Sequence, residues 1–211
     1  MRTERQNDAK TRLLDAALHV IRAKGYAATS VEDICRAAGL TKGGFFHHFR
    51  SKDDLAAAAA DHWSSTTGAL FEAAPYHSHA DPLDRVLGYL DFRRSLLDGP
   101  VSAFTCLVGT MVQEAYGTAP GIRDACERSI SGHAATVEAD IAAVMQSRRM
   151  QPGWTAESLA LHMQAVLQGA FILAKAKGGP QAAADSIGHL RRYVELLFSV
   201  NTFGEETRCA S

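Results

Sequence analysis

The stretch Ser30-Val31-Glu32-Asp33-Ile34-Cys35-Arg36-Ala37-Ala38-Gly39-Leu40-Thr41-Lys42-Gly43-Gly44-Phe45-Phe46-His47-His48-Phe49 decides how this chain is read. Ser30 opens a helix: its hydroxyl can accept from a first-turn N–H, and the acids that follow suit the positive helix end. Gly39 closes it, since glycine reaches the positive φ that a sharp turn requires. Thr41 can cap a second short helix running to about His48. Two short helices joined by Ala38-Gly39-Leu40-Thr41 are the sequence form of a helix-turn-helix. Val31, Ile34, Leu40, Phe45 and Phe49 would clamp the pair onto the helix before it.

The second helix carries unusual chemistry for its length. Its start is Thr41-Lys42-Gly43-Gly44 and its far end Phe46-His47-His48. A hydroxyl, an ammonium, two residues without bulk and two imidazoles suit a helix whose N-terminus enters a major groove. Glycines also let backbone N–H groups approach a phosphate closely. By the same logic Lys52, Arg50 and Thr29 are candidate phosphate partners. Helix pairs with a glycine turn also occur in cores that touch no DNA, and His47 and His48 fit a solvated edge too, so spacing alone leaves both readings open.

Outward from this stretch, helical periods dominate. Leu13, Leu14, Ala17, Leu18 and Ile21 form one apolar stripe, ended by Lys24-Gly25. Ser51-Lys52-Asp53-Asp54 opens a fourth helix reaching past Trp63. The run Ala74-Pro75-Tyr76-His77-Ser78-His79-Ala80-Asp81-Pro82 reads as a linker. Helices then follow over about 83–97, 104–116, 122–145, 155–177 and 182–199, making about nine in an all-α chain. Residues 1–55 hold ten Lys and Arg against seven Asp and Glu, a net of +3; the other 156 hold twelve against sixteen, a net of −4.

Composition narrows the class. The 211 residues are 46% apolar and 21% charged, enough to bury a core. No eighteen consecutive residues are apolar, and the charged N-terminus has no apolar stretch before a cleavage site, so the expectation is a cytoplasmic protein with no membrane partner. Cys35, Cys106, Cys126 and Cys209 are scattered without a C-x-x-C pair, which reads as reduced thiols. No H-x-x-x-H, H-E-x-x-H, G-x-S-x-G or P-loop pattern is present, so neither an enzyme, a metal site nor a cofactor is expected.

Gly25-Tyr26, Thr29-Ser30-Val31-Glu32-Asp33-Ile34, Ala37-Ala38-Gly39-Leu40-Thr41-Lys42-Gly43, Phe45, His47-His48-Phe49 and Ser51-Lys52-Asp53-Asp54-Leu55 together resemble the signature of the TetR family of transcriptional regulators. The resemblance covers roughly residues 8–60. It implies a three-helix DNA-binding head (1–53) and a larger helical body (54–203) that binds ligand and dimerises, followed by a disordered tail (204–211). The family often has tyrosine where this chain has Phe46, so one phosphate contact passes to His47. The expected DNA-binding set is Thr29, Thr41, Lys42, Gly43, Gly44, Phe46, His47, His48, Arg50 and Lys52.

For the body, the resemblance implies a homodimer through the last two helices, on the stripes Leu159, Met163, Val166, Leu167, Ala170, Phe171, Ala174 and Ile187, Leu190, Val194, Leu197, Phe198; intramolecular core is the other reading. Gly169 in mid-helix fits close helix approach. Trp63, Phe92, Phe104, Cys106, Met111, Gln113, His133 and Phe171 are candidates to line a small-molecule pocket, apolar walls with sparse polar groups, although an ordinary core has the same composition. Phe104-Thr105-Cys106-Leu107-Val108-Gly109 resembles a stretch in one branch of the family, some of whose members sense electrophiles or oxidants by cysteine. A helix start favours the thiolate, and Lys175 is a candidate helper; an inert buried thiol is the alternative. The implied function is a ligand-released repressor on a palindromic double-stranded operator, with activation as a variant and a protein-binding helical scaffold as a rival.

Overall fold

The computed structural model describes residues 2–199, and side chains from residue 8 onward. Among these residues there are ten α-helices and no strand. The proposed tail at 204–211 and Cys209 lie outside the described residues.

Helix α1 (Arg2–Lys24) buries its predicted stripe, Leu13, Leu14, Ala17, Leu18 and Ile21. It stops at Gly25, whose φ of +89° turns the chain while its N–H still donates to Ile21 O at 2.8 Å. A side chain there would also strike the Glu114 carboxylate, which accepts from Ala27 N–H at 2.7 Å.

Helix α2 (Val31–Ala38) begins with a reciprocal cap: Ser30 Oγ accepts from Asp33 N–H, and the Asp33 carboxylate accepts from Ser30 N–H at 3.0 Å. It ends at Gly39 in the left-handed region, with Leu40 N–H donating to Cys35 O and Gly39 N–H to Arg36 O, a Schellman closure. Helix α3 (Lys42–His48) starts at Thr41, whose Oγ1 accepts from Gly44 N–H at 3.2 Å. Phe45 and Phe49, both buried, fasten α3 to the core that α1 provides.

Helix α4 (Lys52–Glu72) follows, then a 3-10 turn (Pro75–Ser78), α5 (Pro82–Ser95), α6 (Val101–Phe104), α7 (Leu107–Ala115), α8 (Pro120–Ser147), α9 (Ala156–Lys177) and α10 (Gln181–Ser199). Two expectations change. The 74–82 linker is partly ordered, with Tyr76 buried edge-on to Tyr89 at 6.0 Å between centroids. The helix expected over 104–116 is broken: Thr105 is extended (φ −84°, ψ 156°), and Cys106 caps a new helix through its sulfur, which accepts from Gly109 N–H at 3.4 Å.

The helices form two compact units. One holds residues 2–72 with Pro100–His133, so that α1 packs on α2, α4, α6 and α7. The other holds Ala73–Gly99 with 134–199, where α9 and α10 pack together and α10 packs on α5. Compactness thus groups the helices differently from the division expected at residue 53. In the second unit a buried polar chain runs from Gln164 Nε2, donating to Tyr89 OH at 3.2 Å, to Arg93 Nε, donating to the same oxygen at 3.0 Å.

Helix α9 is, among the described residues, the one helix long and apolar enough to cross a membrane by length and composition. No run of eighteen apolar residues is needed for that, because its mean hydropathy is high despite Glu157, Gln164 and Lys175. Its Leu159, Met163, Leu167 and Phe171 are buried within the chain, as in a core helix.

Candidate nucleic-acid interface

Helix α3 has two contrasting sides. Phe45 is fully buried, while Phe46, perpendicular to it at 5.1 Å, is 57% exposed. The rings of His47 and His48 lie 5.0 Å apart at the far end. Partial burial holds the His48 pKa below its ordinary value, and the positive charges available on His47 and Lys10 push the same way. Lys10 sits 5.9 Å over the Phe49 ring. At the near end Lys42 is ion-paired with Glu32 across the turn; both side chains are about half exposed, and a pair of that kind contributes little stability.

The glycines are informative because the chain does not need them. A Cβ at Gly43 or Gly44 would meet nothing nearer than Thr41 Oγ1, at 3.8 and 3.6 Å, which are ordinary contacts. Neither has a positive φ. Each glycine costs up to about 1 kcal/mol of helix propensity relative to alanine, and no contact among the described residues explains that cost.

The ten expected DNA-binding residues do not form one exposed set. Thr41, Lys42, Gly43, Phe46 and His47 are exposed on or beside α3, and Gly44 and His48 are partly so. Arg50 is exposed, with its N–H donating to Asp54 Oδ2 at 2.9 Å. Thr29 is a correction. Its side chain is 2% exposed and its hydroxyl donates to Gly25 O at 2.6 Å, so it fastens the 25–29 turn and does not face outward. Lys52 is also engaged internally: Nζ donates to Tyr26 O and Thr29 O, each at 3.0 Å, and lies 4.2 Å over the Tyr26 ring. The Tyr26 hydroxyl donates to Asp53; burial and that carboxylate push its pKa well up.

Two supports of the turn had no signal in the sequence. Arg12 Nη2 donates to Ala38 O at 2.5 Å, closing the C-terminus of α2 from α1. Lys24 donates to Asp33 Oδ2 at 2.5 Å, and with Ser30 holds that carboxyl well below the usual range.

Of the ligand candidates, Trp63, Phe104, Cys106, Met111, Gln113 and His133 fall in the first unit, and Phe92 and Phe171 in the second. Met111 is fully buried in the core on which Trp63 and Cys106 pack. Gln113 Nε2 donates to Gly109 O within its own helix at 2.6 Å, and His133 lies edge-on to Phe71 at 4.8 Å. Phe104 is half-buried beside the helix break, Phe92 stands 6.0 Å from Tyr76, and Phe171 is buried.

The stripes expected to pair two chains are corrected as well. Leu159, Met163, Leu167, Ala170, Phe171 and Ala174 on α9, with Ile187, Leu190, Val194 and Phe198 on α10, are buried within this chain. A different set remains exposed: Leu161, Ile172 and Leu173 on α9, Tyr193 and Leu196 on α10. Between these helices lies an open groove of about 330 Å³ lined by His162, Val166, Ser186, His189, Leu190 and Tyr193. A Cβ added at Gly169 would meet nothing within 4 Å, so no close approach inside the chain demands that glycine.

The family model for bacterial regulatory proteins of the tetR family matches residues 13–59, and that for the tetracyclin repressor-like C-terminal domain matches residues 82–190. The chain belongs to the TetR family. Among solved structures, a TetR transcriptional regulator from Chloroflexus aurantiacus superposes with a TM-score of 0.79 at 27% identity, over 92% of this chain and 97% of that one. Among curated relatives, transcriptional regulator AcuR from Cereibacter sphaeroides is 29% identical over 102 residues, 48% of this chain and 47% of AcuR. HTH-type transcriptional regulator TtgR from Pseudomonas putida is 30% identical over 80 residues, 38% of each chain. The chain thus spans less than half the length of the curated relatives it matches.

Proposed function

We propose that this TetR-family chain is a cytoplasmic, ligand-responsive transcriptional repressor that binds a palindromic double-stranded operator as a homodimer. The observation that carries the reading is the start of α3: Gly43 and Gly44, unneeded by the fold, beside an exposed Thr41 and Lys42. Small residues there let the N–H groups of a positive helix end reach phosphate, while Lys42 exchanges Glu32 for a backbone oxygen. Phe46, His47, His48 and Arg50 complete the face. Residues 1–53 act as the head and 54–203 as the body in this reading, in keeping with the separate matches at 13–59 and 82–190.

One head makes few base contacts, each good bidentate pair discriminating by about 1–3 kcal/mol, so specificity needs two. The exposed apolar residues of α9 and α10, together with an otherwise unexplained Gly169, support pairing of two copies there. A two-fold dimer places its heads about 34 Å apart, or a near multiple, to fit successive major grooves. The effector acts by its differential affinity for the DNA-fitting state, typically about 1–3 kcal/mol.

The test is footprinting on the DNA flanking the chain's own gene. Protection of a palindrome, weakening steeply with salt, is expected; protection that ignores salt, or none at all, rejects the reading. Cys106 supports a second form of it, an electrophile or oxidant sensor, because its half-buried thiol caps α7 within electrostatic reach of the Arg22 guanidinium. Release of DNA by a thiol-blocking reagent in the parent but not in Cys106→Ser would support that form; equal release in both removes it.

A further inference from the structure

The break between α6 and α7 gathers hydrogen-bond donors that the chain leaves without acceptors. Thr105 is 0% exposed, and its hydroxyl has no hydrogen-bond partner among the described residues. Buried hydroxyls are nearly always paired, and an orphan costs about 1–3 kcal/mol. The next residues open α7, and its first N–H groups, on buried Leu107 and Val108, have no acceptor within the helix. Arg22 reaches the same segment from α1. Its Nη1 donates to Ala103 O and its Nε to Leu18 O, both at 2.9 Å, and its guanidinium lies 5.0 Å over the Trp63 ring.

What Arg22 lacks is a counter-charge. Among the described residues no carboxylate pairs with it, and the titratable group within electrostatic reach is the Cys106 side chain. Burial accordingly pulls its pKa below the ordinary value. Two bonds to carbonyls leave three of the five guanidinium N–H groups over. A partly buried cation, a buried hydroxyl and a helix start therefore fall within one compact unit, next to the core that holds Leu107, Val108 and Met111 and against which Trp63 packs. The guanidinium and the helix start can only donate, and the Thr105 hydroxyl can donate as well as accept, so the one partner that serves all three is an acceptor. The complement is an acceptor-only anion with an apolar tail.

We infer that the α6–α7 joint binds a small apolar monocarboxylate, its carboxylate held by Arg22, the Thr105 hydroxyl and the first N–H groups of α7, its tail against Trp63. This deepens the effector half of the proposed function and rests on it only for the biological role. Thr105 costs the ligand-free protein stability and recovers it when the ligand arrives. The signature is thus a residue whose removal stabilises the empty protein and weakens the loaded one.

The experiment uses the full chain carrying Trp154→Phe, which leaves Trp63 as the single tryptophan of the two present. Trp63 fluorescence is followed while sodium octanoate, and separately octanamide, is added. A saturable change with octanoate is expected, with octanamide weaker by about tenfold or more, since a charge-assisted bond is roughly twice as strong as a neutral one. Arg22→Gln should weaken octanoate by about tenfold. Thr105→Val, near-isosteric and therefore safe for folding, should weaken it by about threefold while raising the unfolding midpoint of the empty protein; Thr105→Ser should stay within about twofold of the parent. No change up to about 10 mM across acetate, butyrate and octanoate, acid and amide binding alike, or Thr105→Val binding as the parent does would each overturn the assignment. Operator binding by the ligand-free protein, measured separately by mobility shift, reports on α3 and on pairing of two copies and not on the α6–α7 joint, so failure of one reading is not mistaken for failure of the other.

Discussion

The α2–α3 turn and the α9–α10 pair solve opposite problems. Around α3 the polar groups of the chain are satisfied locally, by the Ser30 and Thr41 caps, the Gly39 closure and the clasp of Lys52 on the 26–29 turn, and what is left outward is the small start of α3, the Phe46 ring and the cations Lys42 and Arg50. On α9 and α10 the apolar groups are only half satisfied: one face is buried in the chain, and another, with Leu173, Tyr193 and Leu196, stands in water. In the proposed function the face rich in donors meets an acceptor-rich polymer, whereas the face rich in methyl groups meets another of its kind. The first is specified residue by residue, so single substitutions should act strongly on geometry or charge. The second is specified by area, and its loss should act on everything that needs two copies.

The largest effect therefore belongs to the area-based surface. Leu173→Glu with Leu196→Glu puts charge on residues now 46% and 62% exposed, where the monomer has no reason to object. The pair should leave the helical content unchanged and turn a dimer into a monomer in sedimentation. Operator affinity should fall by about a hundredfold or more, because half of the base and phosphate contacts are lost. A variant that sediments as the parent does would transfer pairing to some other surface. Next in size is Gly39→Ala. The φ of +64° is strained for any side chain, and the new Cβ would stand 2.9 Å from Arg12 Nη2, the group that closes α2. Chemical unfolding should show a loss of about 1–2 kcal/mol. Gly169→Ala makes the contrast: as an isolated helix position it should gain stability in the monomer, yet weaken pairing.

How much of this was legible beforehand follows the same division. The stripe of α1, the caps at Ser30 and Thr41 and the turn at Gly39 could be read because each depends on residues within four of one another. The break at Thr105 could not: a thiol is a poor N-cap signal, and Phe104 to Tyr116 has unbroken helical periodicity across it. Thr29 and Lys52 have the side chains of phosphate partners, and only the fold reveals that the 26–29 turn has already taken both. The stripes on α9 and α10 are legible as apolar, but their neighbour is not, since a period of 3.6 says that a face is buried and not by which chain; core and pairing surface both fit the pattern, and burial within this chain selects core for most of the stripe. Glu114 meeting Ala27, and Arg12 meeting Ala38, are pairings of distant residues that no local pattern encodes.

Smaller effects sharpen the charge side of the comparison. Lys42→Gln removes one cation without touching a cap, so the slope of log affinity against log salt should shrink by about 1, and affinity at moderate salt should fall by less than about tenfold. Glu32→Gln, which frees Lys42 from its partner, should move affinity slightly the other way. If both variants keep the parent's slope, Lys42 does not reach a phosphate.

The smallest effect is a dependence on pH, and its sign separates two roles for the histidine pair. In the free protein His48 takes up a proton less readily than an ordinary imidazole, because it is partly buried beside His47 and Lys10. On that account alone its contribution to stability is complete above the unfolded pKa of about 6.5 and is lost as pH falls through the lower folded pKa. A phosphate beside the same ring would reverse the bias, since negative charge favours the imidazolium. Binding would then draw in protons, and operator affinity should rise by about two- to fivefold between pH 7.5 and 6.0 while the free head grows slightly less stable. His47→Gln with His48→Gln should flatten the affinity profile and leave the pH 7.5 value nearly unchanged. Affinity that falls on acidification together with stability would mean that the rings touch no phosphate, and that the far end of α3 serves only to fasten the helix.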